Sequence, residues 1–360
     1  MLSKSPYHFC LGQNVLEPFF EETLSKEHKW AIFCDENIYQ LYGKKLYEEL
    51  QKKGEVLLFT FPAGEKSKSR EQKQRLEDFL FENSFGKKDK ILALGGGVTL
   101  DLAGFVSSTY LRGVAYFSIP TSLLAMIDAC IGGKTAINTP YGKNLLGTIY
   151  PPKKGCIDIS FLQTLPLKEM QEGLAEGVKH ALIYDHFLWD TLTNKVEPIL
   201  AKEEKILLSF VERNVRIKAH IVSQDEEEKG IRYILNFGHT VGHALEKMAE
   251  YQISHGSALY WGMLMEAFIS MQKGFLAKTS YQEMLQFFQT KNLLAPLPNW
   301  DEEKFKRALV KDKKNQEQKI AIVILEKIGK AASLSYFSQE EVMNYLTPFI
   351  EKYFYAYLGF

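Results

Sequence analysis

Within the first 160 residues, short apolar runs alternate with longer amphipathic stretches, and that alternation leaves few architectures open. Trp30-Ala-Ile-Phe-Cys34, Val56-Leu-Leu-Phe-Thr-Phe61, Ile91-Leu-Ala-Leu94, Tyr116-Phe-Ser-Ile119 and Cys156-Ile-Asp-Ile159 read as buried strands. Between them, 37–51 and 68–83 carry apolar residues at helical spacing with charges on the opposite face. Strands joined through helices pair in parallel, so a parallel sheet covered on both faces is predicted. After about Ser160 the texture changes. The stretches 161–200, 203–224, 237–251, 258–274 and 281–290 read as helices, and Ile320-Ala-Ile-Val-Ile-Leu325 is one late strand. The expected organisation is an α/β Rossmann-like domain over residues 1–160 and a mainly α-helical domain over 161–360. With no repeat or low-complexity linker, the two are expected to pack closely, with a ligand in the cleft between them.

Composition excludes several classes. The 360 residues are 46% hydrophobic and 24% charged, which removes disordered and fibrous chains. Lys+Arg 44 balances Asp+Glu 44, so broad electrostatic binding to nucleic acid or an anionic membrane is not expected. Cys10, Cys34, Cys130 and Cys156 form no CxxC pair and read as small apolar residues of a reducing compartment. No apolar run approaches the roughly 20 residues a membrane helix needs. The amino end lacks a basic-then-apolar leader pattern, so a cytoplasmic location is expected.

Gly95-Gly96-Gly97-Val98-Thr99-Leu100-Asp101 follows a predicted strand and opens a predicted helix. Glycines there let the backbone turn sharply and approach an anion, while amides at the helix start face its phosphates. Leu100 stands where the full dinucleotide fingerprint has glycine, so the match is partial. A second segment, Pro62 to Ser69, offers Glu65 and Lys68 for ribose hydroxyls and an adenine or phosphate edge.

Asn236-Phe-Gly-His239-Thr-Val-Gly-His243 puts two imidazoles on one helical face, and His255 follows in a turn. Imidazoles suit zinc, and a catalytic zinc site takes three protein ligands and keeps one position open. Glu176, in an apolar helical segment with Lys179, is the best carboxylate candidate, because unpaired charge there is costly. Spacing alone does not choose among His180, His239, His243 and His255.

Several cations do not read as parts of solvated faces: Arg112, Lys134 and Lys143 stand beside glycine, Lys218 falls within a helix, Arg232 follows Glu228-Lys-Gly230, and Lys313 and Lys314 form another basic turn. A neutral chain that places cations at Gly-flanked turns points to a small, multiply charged anion as substrate.

Taken together and in order, these motifs resemble 3-dehydroquinate synthase. The resemblance runs from about Asp35 to Gly329, through Gly95–Phe105, Arg112-Gly, Ile119-Pro-Thr121, Asp128…Gly132-Gly-Lys134, Gly142-Lys143-Asn144, Ala175-Glu176…Lys179, Asp225…Arg232, Asn236…His243, His255-Gly256 and Asp312-Lys-Lys314. It implies closure of 3-deoxy-D-arabino-heptulosonate 7-phosphate to 3-dehydroquinate, with NAD and a divalent metal, Zn or Co. It implies Glu176, His239 and His255 as metal ligands. Around NAD it implies Asp35, Glu65, Lys68, Gly96, Gly97, Val98, Asp101, Thr121, Ser122, Lys143, Phe161 and Thr164. Lys134, Asn144, Arg112 and one of Lys313/Lys314 would take the phosphate, Arg112 across a homodimer, and Lys218 and Arg232 the carboxylate. Asp128, Lys179 and Asn236 would contact hydroxyls, and Glu228 and His243 would handle protons. The departures are Leu100 for a frequent Gly, Ser122 for a frequent Thr, and Ala129-Cys130 where small polar residues are common.

The implied reaction oxidises an alcohol, eliminates phosphate, returns the hydride and closes a ring by an internal aldol step, so NAD is regenerated. The alternatives are another sugar-phosphate cyclase, whose substrate need carry no carboxylate, and a metal-dependent polyol dehydrogenase, which yields net NADH.

Overall fold

The computed structural model describes residues 8–24, 27–296, 299–310 and 319–355. Lys313 and Lys314 lie outside these residues. The chain divides into two compact units, Met1–Met170 with Lys202–Ser223, and Gln171–Ala201 with Gln224–Phe360. Along it run β1 (Phe9–Gly12), α1 (Leu16–Thr23), β2 (Trp30–Asp35), α2 (Glu36–Ile38), α3 (Lys44–Gln51), β3 (Val56–Phe61), α4 (Arg70–Glu82), β4 (Lys90–Gly95), α5 (Gly97–Thr109) and β5 (Ala115–Pro120). There follow β6 (Lys134–Thr139), β7 (Gly142–Ile149), β8 (Lys154–Asp158), α6 (Leu167–Tyr184), α7 (His186–Leu200) and α8 (Glu204–Gln224). The chain continues through α9 (His239–Met248), α10 (His255–Gln272), α11 (Lys278–Thr290), α12 (Glu302–Val310), β9 (Ile320–Lys327), β10 (Lys330–Phe337) and α13 (Gln339–Ile350).

The first unit is built on a six-stranded sheet in the order β1-β8-β5-β4-β2-β3, parallel throughout. Its inner strands β2 and β4 carry apolar runs, as strands covered on both faces must: Trp30 to Cys34 and Ile91 to Leu94 are all buried. The chain leaves β2 for β3 on one side and leaves β4 for β5 on the other. The carboxyl ends of β2 and β4, at Asp35 and Gly95, therefore lie side by side at the switch point, where open α/β sheets bind ligands. All five predicted strands are present. Ile159 is the exception within them, since β8 ends at Asp158, whose side chain turns the backbone by accepting from Ser160 N.

Three strands were not anticipated: the four-residue edge strand β1 and the antiparallel hairpin β6–β7. The predicted helix over 161–200 is two helices. The break falls at Asp185, whose carboxylate accepts from Leu188 N and so starts α7 afresh.

The second unit is mainly helical, with α9 and α10 packed face to face and the β9–β10 hairpin beside them. β10 was likewise unforeseen, as were α12 and α13. Among the described residues no helix is long and apolar enough to cross a membrane.

Cys34, Cys130 and Cys156 are buried, and Cys10 is partly exposed. Burial pushes the Cys34 and Cys130 thiols up to about 12 and raises Cys156 further, so little thiolate exists there at neutral pH. A thiol reagent is expected to label native protein at Cys10 alone and all four cysteines in denaturant. Mass spectrometry of the labelled peptides checks this, and fast native labelling of Cys34 or Cys130 would contradict it.

Candidate metal centre and nucleotide-binding turn

The three glycines after β4 behave differently from one another. A side chain at Gly95 would meet Thr99 Oγ1 at 2.4 Å, so packing excludes it. At Gly96 and Gly97 a Cβ would meet its nearest neighbours, Ser122 Oγ and the Ala129 Cβ, at 3.5 and 3.6 Å, ordinary contacts. Neither has a left-handed backbone, so glycine there serves neither packing nor turn geometry. What it preserves is open backbone at the start of α5, whose first turn carries no side-chain cap. That is the arrangement an anion at a helix N-terminus needs.

Around this turn the first unit gathers most of the expected nucleotide set. Asp35 Oδ1 accepts from Asn37 N and Ile38 N and so begins α2. Thr121 N donates to Gly95 O at 3.0 Å, fixing the end of β5 beside the turn. Lys68 is 4% exposed and ion-paired with Asp101 on α5. Burial pulls the Asp101 carboxyl upward against the lowering effect of Lys68. Glu65 Oε1 accepts from Asn138 Nδ2 (2.7 Å), Lys68 O from Asn138 N (2.8 Å), and Asn138 Oδ1 from Asn144 N (3.0 Å). Asn138, unmarked in the sequence reading, thus ties three candidate segments together.

Phe161 and Thr164 meet at Tyr42, another residue missed. Its ring packs edge-on to Phe161 at 4.7 Å, and its hydroxyl bonds Phe161 O and Thr164 Oγ1. Lys143 is exposed.

The residues expected to hold anions separate by burial. Arg112, Lys134 and Asn144 are exposed. Leu111, Arg112 and Gly113 all have positive φ (46°, 59° and 105°), a strained turn that Lys87 Nζ holds by bonding the carbonyls of Leu111 and Gly113. Lys218, by contrast, is 7% exposed and bonds Asp128 Oδ1 (2.6 Å) and Asp128 O (2.7 Å).

In the second unit, α6, α9 and α10 bring the candidate ligands together. Glu176 is 2% exposed on α6. Its Oε1 lies 3.2 Å from His255 Nε2 and 3.4 Å from His239 Nε2, while Oε2 pairs with buried Lys179. Three donors at about 2.05 Å from a tetrahedral ion would be about 3.3 Å apart. The two separations to Glu176 match that edge, and the ligand atoms of all three side chains lie within 4.8 Å of one another, so the donor set suits a zinc-sized ion. Among the described residues a second grouping, His243, Glu246 and His255, shares His255. His243 stands beside the first set, its ring 5.3 Å from that of His239. His180, one turn beyond Glu176, is fully buried.

Each candidate ligand is held from behind. Glu246 Oε1 lies 3.0 Å from His255 Nδ1, and Phe237 O lies 3.3 Å from His239 Nδ1. Gly238, left-handed at φ 78°, opens α9 without a cap of its own. Fully buried Glu266 supplies one from α10, accepting from Gly238 N (2.8 Å) and Val241 N (3.3 Å). Burial works against the Glu176 carboxylate, but Lys179 and then His239 hold it well below the usual range. Burial and Lys179 push His239 down to about 3, so it is a neutral donor. For His255 burial is outweighed by hydrogen bonds to Glu176 and Glu246, which raise it to about 10.

Glu228 and Asn236 also meet. Asn236 Nδ2 donates to Glu228 Oε1 at 2.9 Å, and Glu228 sits at φ 58°. Asp225 organises that loop by accepting from the amides of Lys229, Gly230 and Arg232, and Arg232 Nη1 donates to Glu226 O.

Residues 58–172 match the family model for the 3-dehydroquinate synthase N-terminal domain, and residues 173–315 that for its C-terminal domain. The 3-dehydroquinate synthase of Enterococcus faecalis is 41% identical over 328 residues, 90% of each chain. The chain belongs to the 3-dehydroquinate synthase family. Two solved cyclases share its fold. The 2-epi-5-epi-valiolone synthase of Streptomyces hygroscopicus, with NAD+ and Zn2+ bound, is 27% identical at a TM-score of 0.88, covering 96% of this chain and 97% of its own. A 2-deoxy-scyllo-inosose synthase complexed with carbaglucose-6-phosphate, NAD+ and Co2+ is 25% identical at 0.87, covering 94% and 96%. Enzymes of the 3-dehydroquinate synthase family are NAD- and metal-dependent lyases, and the three-ligand cluster and glycine turn are the features of this chain that suit those two cofactors.

Proposed function

We propose that this enzyme converts 3-deoxy-D-arabino-heptulosonate 7-phosphate to 3-dehydroquinate and phosphate, with the residue roles that follow. The observation that carries the reading is the meeting of Glu176, His239 and His255 at ligand-edge distances, within a chain 41% identical to a 3-dehydroquinate synthase. When bound, the ion supplies Lewis-acid polarisation of substrate hydroxyls and NAD a hydride acceptor that is restored within each turnover.

The chain's own groups bind, orient and move protons. Glu176, His239 and His255 hold the ion. Lys179 keeps Glu176 ionised and, with Asn236 and Asp128, orients hydroxyls. His243 and Glu228 carry protons, Glu228 being positioned by Asn236. Gly96, Gly97 and Val98 receive the NAD phosphates. Asp35, Glu65, Lys68, Asp101, Thr121, Ser122, Lys143, Phe161 and Thr164 surround the rest of that cofactor. Arg112, Lys134 and Asn144 take the substrate phosphate by charge-assisted bonds, together with one of Lys313 and Lys314; Lys218 and Arg232 serve the carboxylate. Orientation of this kind is the main requirement of the ring closure. The working form in this reading is a cytoplasmic homodimer, which light scattering of the purified protein tests.

Incubation with the heptulosonate phosphate, NAD and Zn2+ is expected to release phosphate and form 3-dehydroquinate with no net NADH. A strong chelator stops turnover, and added Zn2+ or Co2+ restores it. Net NADH from a polyol would instead mark a dehydrogenase. Equal turnover of a hexose phosphate lacking the carboxylate would mark a different cyclase.

A further inference from the structure

We infer that Glu246 is the positioning residue of the metal centre, fixing through His255 Nδ1 which ring nitrogen faces the ion. The inference rests on the reading of Glu176, His239 and His255 as ligands. Glu246 follows His239 by seven residues on α9, so the two share a helical face. One helix thus presents a ligand and also the group that aims a ligand of its neighbour α10. The Glu246 carboxylate is only 7% exposed and lies 3.0 Å from His255 Nδ1. Glu246 accepts at Nδ1 and so keeps that nitrogen engaged, which leaves Nε2, the nitrogen on the Glu176 side, as the one an ion would take in place of its hydrogen bond to Glu176.

The two imidazoles are unequal in this respect. His239 Nδ1 faces only the neutral carbonyl of Phe237, at the longer distance of 3.3 Å. A carboxylate behind the ring raises the basicity of the ligating nitrogen, which a carbonyl does weakly. Glu246 therefore makes His255 the stronger donor of the pair, although the His255 side chain is the more exposed, 33% against 13%.

The test uses full-length protein, Zn2+ competed against a chromophoric chelator, the visible spectrum of the Co2+ form, and the melting temperature of metal-free protein. Glu246→Gln keeps the shape and can still accept from Nδ1, but carries no charge. It is expected to weaken Zn2+ binding about 10-fold and Glu246→Ala about 100-fold. The Co2+ ligand-field band should shift in both, while metal-free Glu246→Gln melts as the unaltered protein does. Unaltered Zn2+ affinity and Co2+ spectrum in Glu246→Gln would reduce Glu246 to a staple between α9 and α10 and overturn the inference. So would loss of the metal-free fold in that variant. Failure of the underlying reading looks different: Glu176→Gln would keep stoichiometric metal.

Discussion

Glu176→Ala protein is expected to purify without stoichiometric metal and to lose turnover by on the order of 10³-fold or more, because Lewis-acid stabilisation worth several kcal/mol goes with the ion. Glu176 Oε1 lies 3.4 Å from His239 Nε2 and 3.2 Å from His255 Nε2, so its removal takes away the corner that joins them. A second loss accompanies the first. Lys179 is 2% exposed and paired with Glu176 Oε2, and the alanine strands its charge in the interior. Removing one partner of a buried pair costs about 3–5 kcal/mol, so the metal-free variant should also melt earlier. Glu176→Gln separates the two effects, since it fills the same volume and can still accept from Lys179 while lacking the anionic ligand. Elemental analysis of both variants decides the matter. Unchanged metal stoichiometry would transfer the ligand role to His180 or His243.

How legible this centre was in the sequence differs from residue to residue. The strand–helix alternation up to about residue 160 gave the parallel sheet, because apolar runs such as Ile91 to Leu94 can hardly be anything but buried strands. β6 and β7 escaped because Lys134–Thr139 is short and mostly polar, while Gly142–Ile149 carries two glycines and is largely exposed. β10 escaped for a similar reason, its pattern Lys-Ala-Ala-Ser-Leu-Ser-Tyr-Phe being neither apolar nor cleanly alternating. Nothing in the linear text marks the return of Lys202–Ser223 to the first unit, since that segment reads as one more amphipathic helix.

At the site, spacing offered four histidines without ranking them. What favours His239 and His255 in the proposed reading is three-dimensional, in that their Nε2 atoms converge on one carboxylate oxygen. The supporting carboxylates were the least visible. Glu246 sits in Leu-Glu-Lys, a pattern of ordinary helix surface, and only the fold shows it buried. Glu266 did leave a trace, as the lone acid in the apolar run from Ala258 to Ser270, a place where an unsatisfied charge is too costly to leave unexplained.

The tight crossing of α9 and α10 is what brings these groups together, and Gly262→Ala is expected to break it. A Cβ on Gly262 would meet Gly238 O at 2.0 Å and Gly242 N at 2.8 Å. Both obstacles are backbone, so no side chain can swing aside, and α9 itself must move away from α10. Such overpacking costs about 3 kcal/mol. For a unit of this size that is a fall of roughly 6–12 °C in melting temperature. The displacement begins at the residue before His239, and it also pulls the amides of Gly238 and Val241 from Glu266, four residues beyond the substitution on α10. Protein that stays folded at low temperature should therefore lose catalysis out of proportion, about 100-fold for a shift near 1 Å at the centre. Gly54→Ala is the matched control, since its Cβ meets nothing within 4 Å. Calorimetry and steady-state rates at a temperature where both variants are folded measure the difference. A Gly262→Ala protein that melts and turns over like Gly54→Ala would mean that the ligands are held in register by something other than backbone contact between these two helices.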